Sequence, residues 1–263
     1  MNTTLDVQRR DPHVAQVWLN RPDVRNAFNP GVIAELHTVF TALSHDPDIR
    51  AVVLAGHGKA FCAGADLGWM RDMAGYEWAQ NRADAAALAQ MLWVMYTCPV
   101  PVIARLHGDC YAGGVGLAAV CDVVVASHGV QFCLSEARLG LLPATISPYV
   151  IRAMGESAAR RYFVTAETFS ATQAAAMGLV HDVCEPQALD ARVDAIVAAV
   201  VGNGPMAVRA CKKLVRDVAG VAIDANLRED TACRIADIRV SAEGHEGIQS
   251  FLHKRKPAWL GGA

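Results

Sequence analysis

The sequence lacks three features that mark common classes of protein: an excess of one charge, closely spaced cysteine pairs and a long apolar run. Its 263 residues carry a formal net charge of −2, with 19% charged residues, which argues against a nucleic-acid-binding face built on positive charge. Asp122 interrupts the best candidate for a membrane span, which needs about 20 apolar residues. The N-terminus shows no basic segment followed by an apolar core. We therefore expect no nucleic-acid partner, no membrane span and a cytoplasmic location.

None of the eight cysteines belongs to a C-x-x-C pair. Cys62, Cys110, Cys121 and Cys133 lie inside apolar or glycine- and alanine-rich runs, where reduced thiols are readily buried. Disulfides and a bound metal ion are therefore not expected. Hydrophobic residues make up 53% of the chain, which is enough for a sizeable core, and a small metabolite is the expected partner.

The first two thirds of the chain alternate β-rich runs with helical segments, and the last third is mostly helical. The β-rich runs are 14–19, 49–54, 100–106, 123–126 and 131–134, and the segments with helical spacing are 31–43 and 81–95. After Ala158, helices are predicted at 159–163, 171–177, 187–201, 205–218 and 223–238, with one further β-like run at 179–184. This alternation predicts an α/β fold with a helical C-terminal region.

The stretch HGDCYAGGVGLAAVCD, residues 107–122, follows an apolar run and leads into another. Its residues 114–119 fit the dinucleotide-binding fingerprint G-x-G-x-x-A, and Glu136 follows about twenty positions on, where a ribose-binding carboxylate would stand. The context argues against that interpretation, because the next β-rich run ends without an acid. The alternatives are a loop that presents backbone N–H groups to an oxyanion, and glycines that only permit tight packing of helix on strand.

A second glycine loop, AVVLAGHGKAFCAGAD at residues 51–66, again leads from a β-rich run to an expected helix start. Two such loops at the ends of neighbouring strands would each give one N–H to the same carbonyl oxygen. The motifs AFCAGAD, HGDCYAGGVGLAAVCDVVVA and SEARLGLLP, in this order, resemble the crotonase (enoyl-CoA hydratase/isomerase) superfamily. The resemblance extends from LNRPDVRNAF at residues 19–28 to EGIQSFLHKRKPAW near the C-terminus.

This resemblance implies a fold and an assembly. Members of the superfamily form a spiral of ββα units, which here would make residues 1–195 the acyl-CoA-binding core. The helical region, residues 196–263, would pack homotrimers, often dimerised to hexamers. Coenzyme A would be part of the substrate, so no separate cofactor is implied.

The resemblance also implies how an acyl-CoA thioester would be held. The backbone N–H groups of Ala63 and Gly113 would stabilise an enolate on the thioester oxygen, and a helix starting near Gly113 would add its dipole. Coenzyme A would lie near the loop after the first strand and near the AGAD loop. The implied substrate-binding positions are Val24, Arg25, Ala63, Gly64, Ala65, Asp66, Gly113, Gly114 and Gly116.

Two charged residues and one basic cluster have two interpretations each. We expect Asp66 to cap the following helix rather than to touch substrate. Arg25 would meet a CoA phosphate or be plain surface. The basic cluster of Lys254, Arg255 and Lys256 would contribute to a 3′-phosphate site or form a solvated tail.

The acid–base groups depart from the superfamily pattern. Hydratases of this kind commonly carry two glutamates, one in G-G-G-x-E-L-A and one in P-E-x-x-x-G, which position water and transfer protons. Glu136 matches the second, with a raised pKa expected from burial, whereas Gly116 stands at the first position. Gly116 is predicted to leave room for a bulkier or carboxylated acyl group. Asp109, Tyr111 and Glu77 are the candidates to replace the missing carboxylate.

The segment GLLPATISP, residues 140–148, resembles a subgroup, the bacterial methylglutaconyl-CoA and carboxygeranoyl-CoA hydratases of leucine and isoprenoid breakdown. An extra substrate carboxylate would then meet Thr145 and Ser147, with Arg71 or Arg138 as counter-ion. The leading prediction is a hydratase that adds water to a 2,3-enoyl-CoA. The alternatives are an enoyl-CoA isomerase that uses Glu136 alone and a CoA-binding protein without chemistry.

Overall fold

The computed structural model describes residues 4–261 and contains nine strands and ten α-helices in that range. The strands are β1 Leu5–Asp11, β2 Val14–Leu19, β3 Ala51–Gly56, β4 Val102–Leu106, β5 Cys110–Tyr111, β6 Val123–Ser127, β7 Gln131–Cys133, β8 Thr168–Ser170 and β9 Asp182–Cys184. The helices are α1 Pro30–His45, α2 Leu67–Met73, α3 Trp78–Thr97, α4 Gly113–Ala119, α5 Ser147–Thr165, α6 Ala171–Ala176, α7 Leu189–Gly202, α8 Pro205–Val218, α9 Ala225–Val240 and α10 Ala242–Leu252.

The strands form two sheets, and successive units of the chain contribute to both. The larger sheet has the order β1-β2-β3-β4-β6-β9, and the smaller has the order β5-β7-β8. Thus β4 enters the large sheet, β5 enters the small sheet and α4 follows; β6 and β7 repeat this before α5. Only the β1–β2 and β7–β8 pairs are antiparallel among the described pairings. The predicted α/β fold is confirmed.

The core lies between the sheets and on the outer face of the larger one. Every residue of β3 is buried, as expected for a central parallel strand covered on both faces. Helix α1 turns the face that includes Leu36 and Phe40 inward, and it begins where Asn29 caps the N–H of Val32 at 2.9 Å. On the other face of the large sheet, Val193 of α7 belongs to a second apolar cluster.

The predicted boundary between residues 195 and 196 falls inside α7, which packs on the large sheet. In the last third, α8 and α9 match their predicted segments within two residues. Helix α5 is far longer than the predicted 159–163, and it contains a break at Gly155, where φ is 79°. Strand β1 and helix α10 were not predicted, because β1 is mostly exposed and polar and α10 contains two glycines.

Burial of Cys62, Cys110, Cys121 and Cys133 agrees with the sequence prediction, and all eight cysteines are free thiols. Within residues 4–261 no single helix is long and apolar enough to cross a membrane. One pair of consecutive helices, Pro186–Gly202 and Pro205–Val218, reaches that length and apolar composition only when the two are taken together, and they meet at a bend of 106°.

Candidate active site

Three chain segments run side by side in the same direction beside the smaller sheet. Cys62 forms a parallel bridge with Cys110, and Tyr111 pairs in parallel with Cys133. Neighbouring strands lie about 4.8 Å apart, so the residues that follow each segment emerge close together at one edge. These residues are the AGAD loop, the start of α4 and the turn that contains Glu136. The fold therefore brings together three of the motifs noted in the sequence.

The first predicted donor, the N–H of Ala63, already has an acceptor. It donates a hydrogen bond to the carbonyl oxygen of Arg25 at 3.0 Å. An N–H committed to the protein's own backbone is not available to a thioester oxygen. This corrects the prediction that placed Ala63 in an oxyanion hole.

Ala65, two residues further on, has an N–H that is not engaged by the backbone of residues 4–261. It forms a parallel bridge with Phe28, in which Phe28 donates to Gly64 at 2.6 Å and accepts from the N–H of Asp66 at 2.7 Å. The N–H of Ala65 points away from that bridge and finds no acceptor in the part of the chain that the structure describes. Ala65 was predicted as a substrate-binding residue but not as a donor.

The second predicted donor, the N–H of Gly113, has no acceptor among the residues that the structure describes. Gly113 is the first residue of α4, where N–H groups have no partner within the helix. Neither Gly113 nor Gly114 donates to another of residues 4–261. The preceding Ala112 has φ 47° and ψ −117°, which an alanine rarely adopts, and its N–H is held by the carbonyl of Cys133 at 2.7 Å. This strained residue, not found by sequence reasoning, turns the chain into α4.

Glycines allow the two loops to touch. At Gly64, φ is 89° and an added Cβ would lie 2.9 Å from the Cβ of Ala112. At Gly114, an added Cβ would lie 2.7 Å from the carbonyl oxygen of Cys62. Close packing is therefore one role of these glycines. The dinucleotide interpretation is excluded by the topology, since β6 ends at Ser127 and Glu136 follows the next strand.

Gly116 does not leave room beside the site. The glycine is buried, and a Cβ built on it would lie 2.2 Å from Cγ2 and 2.8 Å from Cβ of Ile146. Ile146 is itself only 2% exposed. The predicted space for a larger acyl group at Gly116 is therefore wrong, and substrate binding by Gly116 stays a prediction. The volume is filled by the isoleucine of the ATISP segment.

Glu136 is half-buried at the start of a short 3-10 turn, Glu136–Leu139. Its Oε2 atom is buried and has no hydrogen-bond partner among the described residues. Burial raises the pKa of this carboxyl above its ordinary value, as the sequence predicted, although a hydrogen bond from its own backbone N–H opposes the rise. A carboxyl in this state is suited to accept and return a proton.

Asp66 caps α2, as predicted. Its Oδ1 accepts hydrogen bonds from the N–H groups of Gly68 at 2.8 Å and Trp69 at 3.4 Å, and its Oδ2 pairs with Arg21 at 2.9 Å. Burial alone would raise the pKa of Asp66, but the hydrogen bonds from Arg21 and the two backbone groups hold it below its ordinary value. Asp66 therefore fixes the end of the AGAD loop.

Asn26 is a positioning residue that sequence reasoning did not identify. It is 2% exposed, and its Nδ2 donates to the carbonyls of His57 at 2.8 Å and Ala60 at 2.9 Å. Its Oδ1 accepts from the N–H of Arg21 at 2.9 Å. The only indication in the sequence was that a polar amide, Asn26, stands inside the LNRPDVRNAF motif. Next to it, Val24 and Arg25 are exposed, as a role in binding a ligand requires.

The candidates for a second acid–base group differ in their surroundings. Glu77 is the exposed N-cap of α3, where its N–H donates to Gln80 at 2.9 Å. Tyr111 directly precedes Ala112, and burial together with the neighbouring Asp109 carboxylate raises its pKa. Tyr111, with Asp109 beside it, thus directly precedes the turn into α4, whereas Glu77 serves a helix end.

Two of the predicted partners for a substrate carboxylate are already engaged. Arg138 donates to the carbonyl oxygen of Ala166, and Ser147 Oγ donates to the carbonyl oxygen of Ala144 at 2.8 Å. Thr145 is half-buried and Arg71 is exposed. Thr145 and Arg71 remain candidates to bind a substrate carboxylate, on the basis of their positions alone.

In the C-terminal basic cluster, Arg255 forms two hydrogen bonds with Glu246, at 2.6 and 2.7 Å. This pairing lowers the pKa of Glu246 to about 2. Arg255 therefore helps to anchor the C-terminal segment to α10. Lys254 and Lys256 are exposed.

Comparison with known proteins gives one consistent result. The sequence pattern of the enoyl-CoA hydratase/isomerase family matches residues 9–262. A Thermus thermophilus protein named for enoyl-CoA hydratase is 34% identical over 251 residues, 95% of this chain and 99% of that protein. The 2,3-dehydroadipyl-CoA hydratase of Escherichia coli is 32% identical, over 96% of this chain and 97% of the relative. The crystal structure of an enoyl-CoA hydratase from Shewanella pealeana has 40% identity and a TM-score of 0.94, covering 97% and 96% of the two chains.

Proposed function

Because the chain belongs to the enoyl-CoA hydratase/isomerase family, we propose that it is the hydratase form of such an enzyme and adds water to a 2,3-unsaturated acyl-CoA. The observation that carries the proposal is the carboxyl of Glu136, which is half-buried and has an unpartnered Oε2. It follows β7, the strand next to the one that leads into α4. A carboxyl suited to proton transfer, at the same edge as backbone N–H groups that lack an acceptor within residues 4–261, supports the proposal.

The proposed oxyanion hole consists of the N–H groups of Ala65 and Gly113. Both lack an acceptor within residues 4–261, and the loops that carry them touch through Gly64 and Ala112. Fixed donors of this kind stabilise negative charge that develops on a thioester oxygen, by roughly 3 kcal/mol each. Ala65 takes the role that the sequence had assigned to Ala63.

Glu136 would carry out both proton transfers of the hydration, first from water and then to C2. The ionised carboxylate takes a proton from water while the water oxygen forms a bond to C3 and the C2–C3 π electrons move into an enolate. The enolate then collapses, and C2 takes the proton from the Glu136 carboxylic acid. One water molecule is added and the carboxylate is restored, so a single acid–base group suffices.

Coenzyme A would bind along the exposed residues Val24 and Arg25 and the AGAD loop. Arg25 supports this in two ways, since its side chain is exposed and its carbonyl oxygen holds the loop through Ala63. The guanidinium is suited to a phosphate group. Coenzyme A arrives as part of the substrate, so the reaction needs no other cofactor.

We further propose a branched or carboxylated acyl group as in methylglutaconyl-CoA, and leucine breakdown as the setting. Support comes from the ATISP segment and from the E. coli relative, which is named for 2,3-dehydroadipyl-CoA. Because Ile146 packs against Gly116, we place the extra group away from that glycine. Thr145 and Arg71 are the remaining candidates to meet it.

An isomerase is the second candidate, favoured by the same contact. With Ile146 against Gly116, no carboxylate stands at that position, and one carboxyl suffices to move a proton between two carbons.

A homotrimer or hexamer in the cytoplasm is also proposed. Large exposed apolar side chains on the last helices support the assembly: Val240 is 84% and Phe251 is 83% exposed.

Incubation with a panel of enoyl-CoA thioesters in H₂¹⁸O separates these candidates. A hydratase yields a 3-hydroxyacyl-CoA heavier by one ¹⁸O, seen by mass spectrometry, and the conjugated enoyl absorbance falls. The Glu136→Gln protein serves as control and should give neither signal. Double-bond migration without uptake of oxygen would establish the isomerase instead.

A further inference from the structure

The contact between Gly116 and Ile146 joins two parts of the sequence that are thirty residues apart. An added Cβ at position 116 would lie within 2.2 Å of Ile146 Cγ2, a separation that no real carbon pair tolerates. Both residues are buried, so neither has solvent to move into. The isoleucine side chain therefore excludes any larger residue at position 116.

Ile146 stands close to the groups proposed to react. Gly116 follows Gly113 by three residues, about 4.5 Å along the helix axis. Ile146 belongs to the segment that begins at Glu136, where Leu141 donates to the Glu136 carbonyl at 3.1 Å and Ser147 donates to the Pro143 carbonyl at 3.0 Å. An acyl chain whose oxygen meets Gly113 would therefore start about one helical turn from the position that Ile146 covers.

We propose that Ile146 is a specificity-determining residue that sets the size of the acyl pocket at the first turn of α4. This rests on the proposed function for the identity of the ligand. The side chain is aliphatic and β-branched, so its position is stiff and it offers no hydrogen bond. It limits the acyl group at this wall by shape.

The test compares Ile146→Gly with Val150→Ala, a control on the same helix that also removes buried carbon atoms. Glycine is acceptable at position 146, which is the N-cap of α5. Dissociation constants are measured by calorimetry for two saturated thioesters, butanoyl-CoA and its 3-methyl derivative, so that no turnover is needed. Ile146→Gly should shift the affinity ratio toward the branched ligand by about tenfold. Val150→Ala should leave the ratio unchanged.

A thermal-unfolding cycle supplies a second measurement. Gly116→Ala should lower Tm by several degrees in the wild-type background and by much less together with Ile146→Gly. A folded Ile146→Gly protein with an unchanged affinity ratio would overturn the proposal. Equal effects of Gly116→Ala in both backgrounds would overturn the packing on which it stands. Failure of hydration in H₂¹⁸O leaves both measurements intact and would count against the proposed function alone.

Discussion

The N–H of Ala63 donates to the carbonyl oxygen of Arg25 at 3.0 Å, and this bond ties the AGAD loop to the loop after β2. Arg25 reaches this position in a left-handed conformation, with φ 53°. The bond removes the Ala63 N–H from the donors that the AGAD loop could offer to a ligand. It therefore separates a scaffold residue, Ala63, from a candidate donor, Ala65.

Proline at position 65 tests the donor assignment. Ala65→Pro removes the proposed oxyanion N–H, and we expect turnover to fall by about a hundredfold or more. Ala63→Pro removes only the bond to Arg25 and should lower Tm with a smaller loss of turnover per folded molecule. Coenzyme A affinity is measured for both proteins, since proline can distort the loop. Equal loss of turnover in the two folded proteins would argue against Ala65 as the donor.

Glu136→Gln should lower turnover by about a thousandfold, because an amide cannot accept and return the proton. In the wild-type protein, burial raises the pKa of Glu136 above the ordinary glutamate value of about 4.3. The rise of kcat/KM with pH should therefore be centred above that ordinary value. Glu136→Asp should retain a pH-dependent residual rate. A rate that does not change with pH in the acid range would contradict this role.

The same carboxyl should destabilise the folded protein once it is ionised. A folded-state pKa above the unfolded value means that the contribution of Glu136 to stability is fully present below the unfolded-state pKa and is lost as pH rises through the folded-state pKa. Glu136→Gln should therefore raise Tm at pH 7 while it removes activity. A lower Tm at pH 7 would show that Oε2 has a stabilising partner.

Asp66 offers a pair of substitutions that separate two contacts. Asp66→Ala removes the cap of α2 and should cost about 1 kcal/mol of unfolding free energy, whereas Asp66→Asn keeps a capping oxygen and loses only the ion pair with Arg21. Because the Asp66 pKa is lowered, its contribution is present at neutral pH and is lost as pH falls through the folded-state pKa. The free energy of unfolding, measured by denaturation at pH 7 and pH 3, should change less between the two pH values in Asp66→Asn than in the wild type. An equal change in Asp66→Asn and the wild type would exclude the ion pair as its source.

Ala112→Gly should raise Tm, since glycine adopts φ 47° and ψ −117° without the strain that alanine carries there. The expected gain is about 1 kcal/mol. Ala34→Gly, an exposed site within α1, is the matched control and should lose about the same amount. A loss of stability at position 112 would mean that the strain is absent in solution.

Much of the fold follows from the sequence, because the buried parallel strands are near-continuous apolar runs and the long helices have regular spacing. Glu136, Gly113 and the cap at Asp66 were identified through their motifs. Ala65 was not chosen as a candidate donor, because backbone hydrogen bonds leave no trace in residue type. The consequence of Gly116 was misjudged for a related reason: a missing side chain indicates space only until the neighbour that fills it is known, and Ile146 lies thirty residues away.

The edge where three parallel segments end has a consequence for how substitutions would be distributed in a saturation mutagenesis experiment. If the oxyanion donors are backbone groups set by strand register, position 65 should accept most side chains that fit a half-buried site, with proline as the exception. Position 136 should accept almost none. A survey that ranks residues by intolerance would then recover the acid–base group and pass over one half of the oxyanion hole.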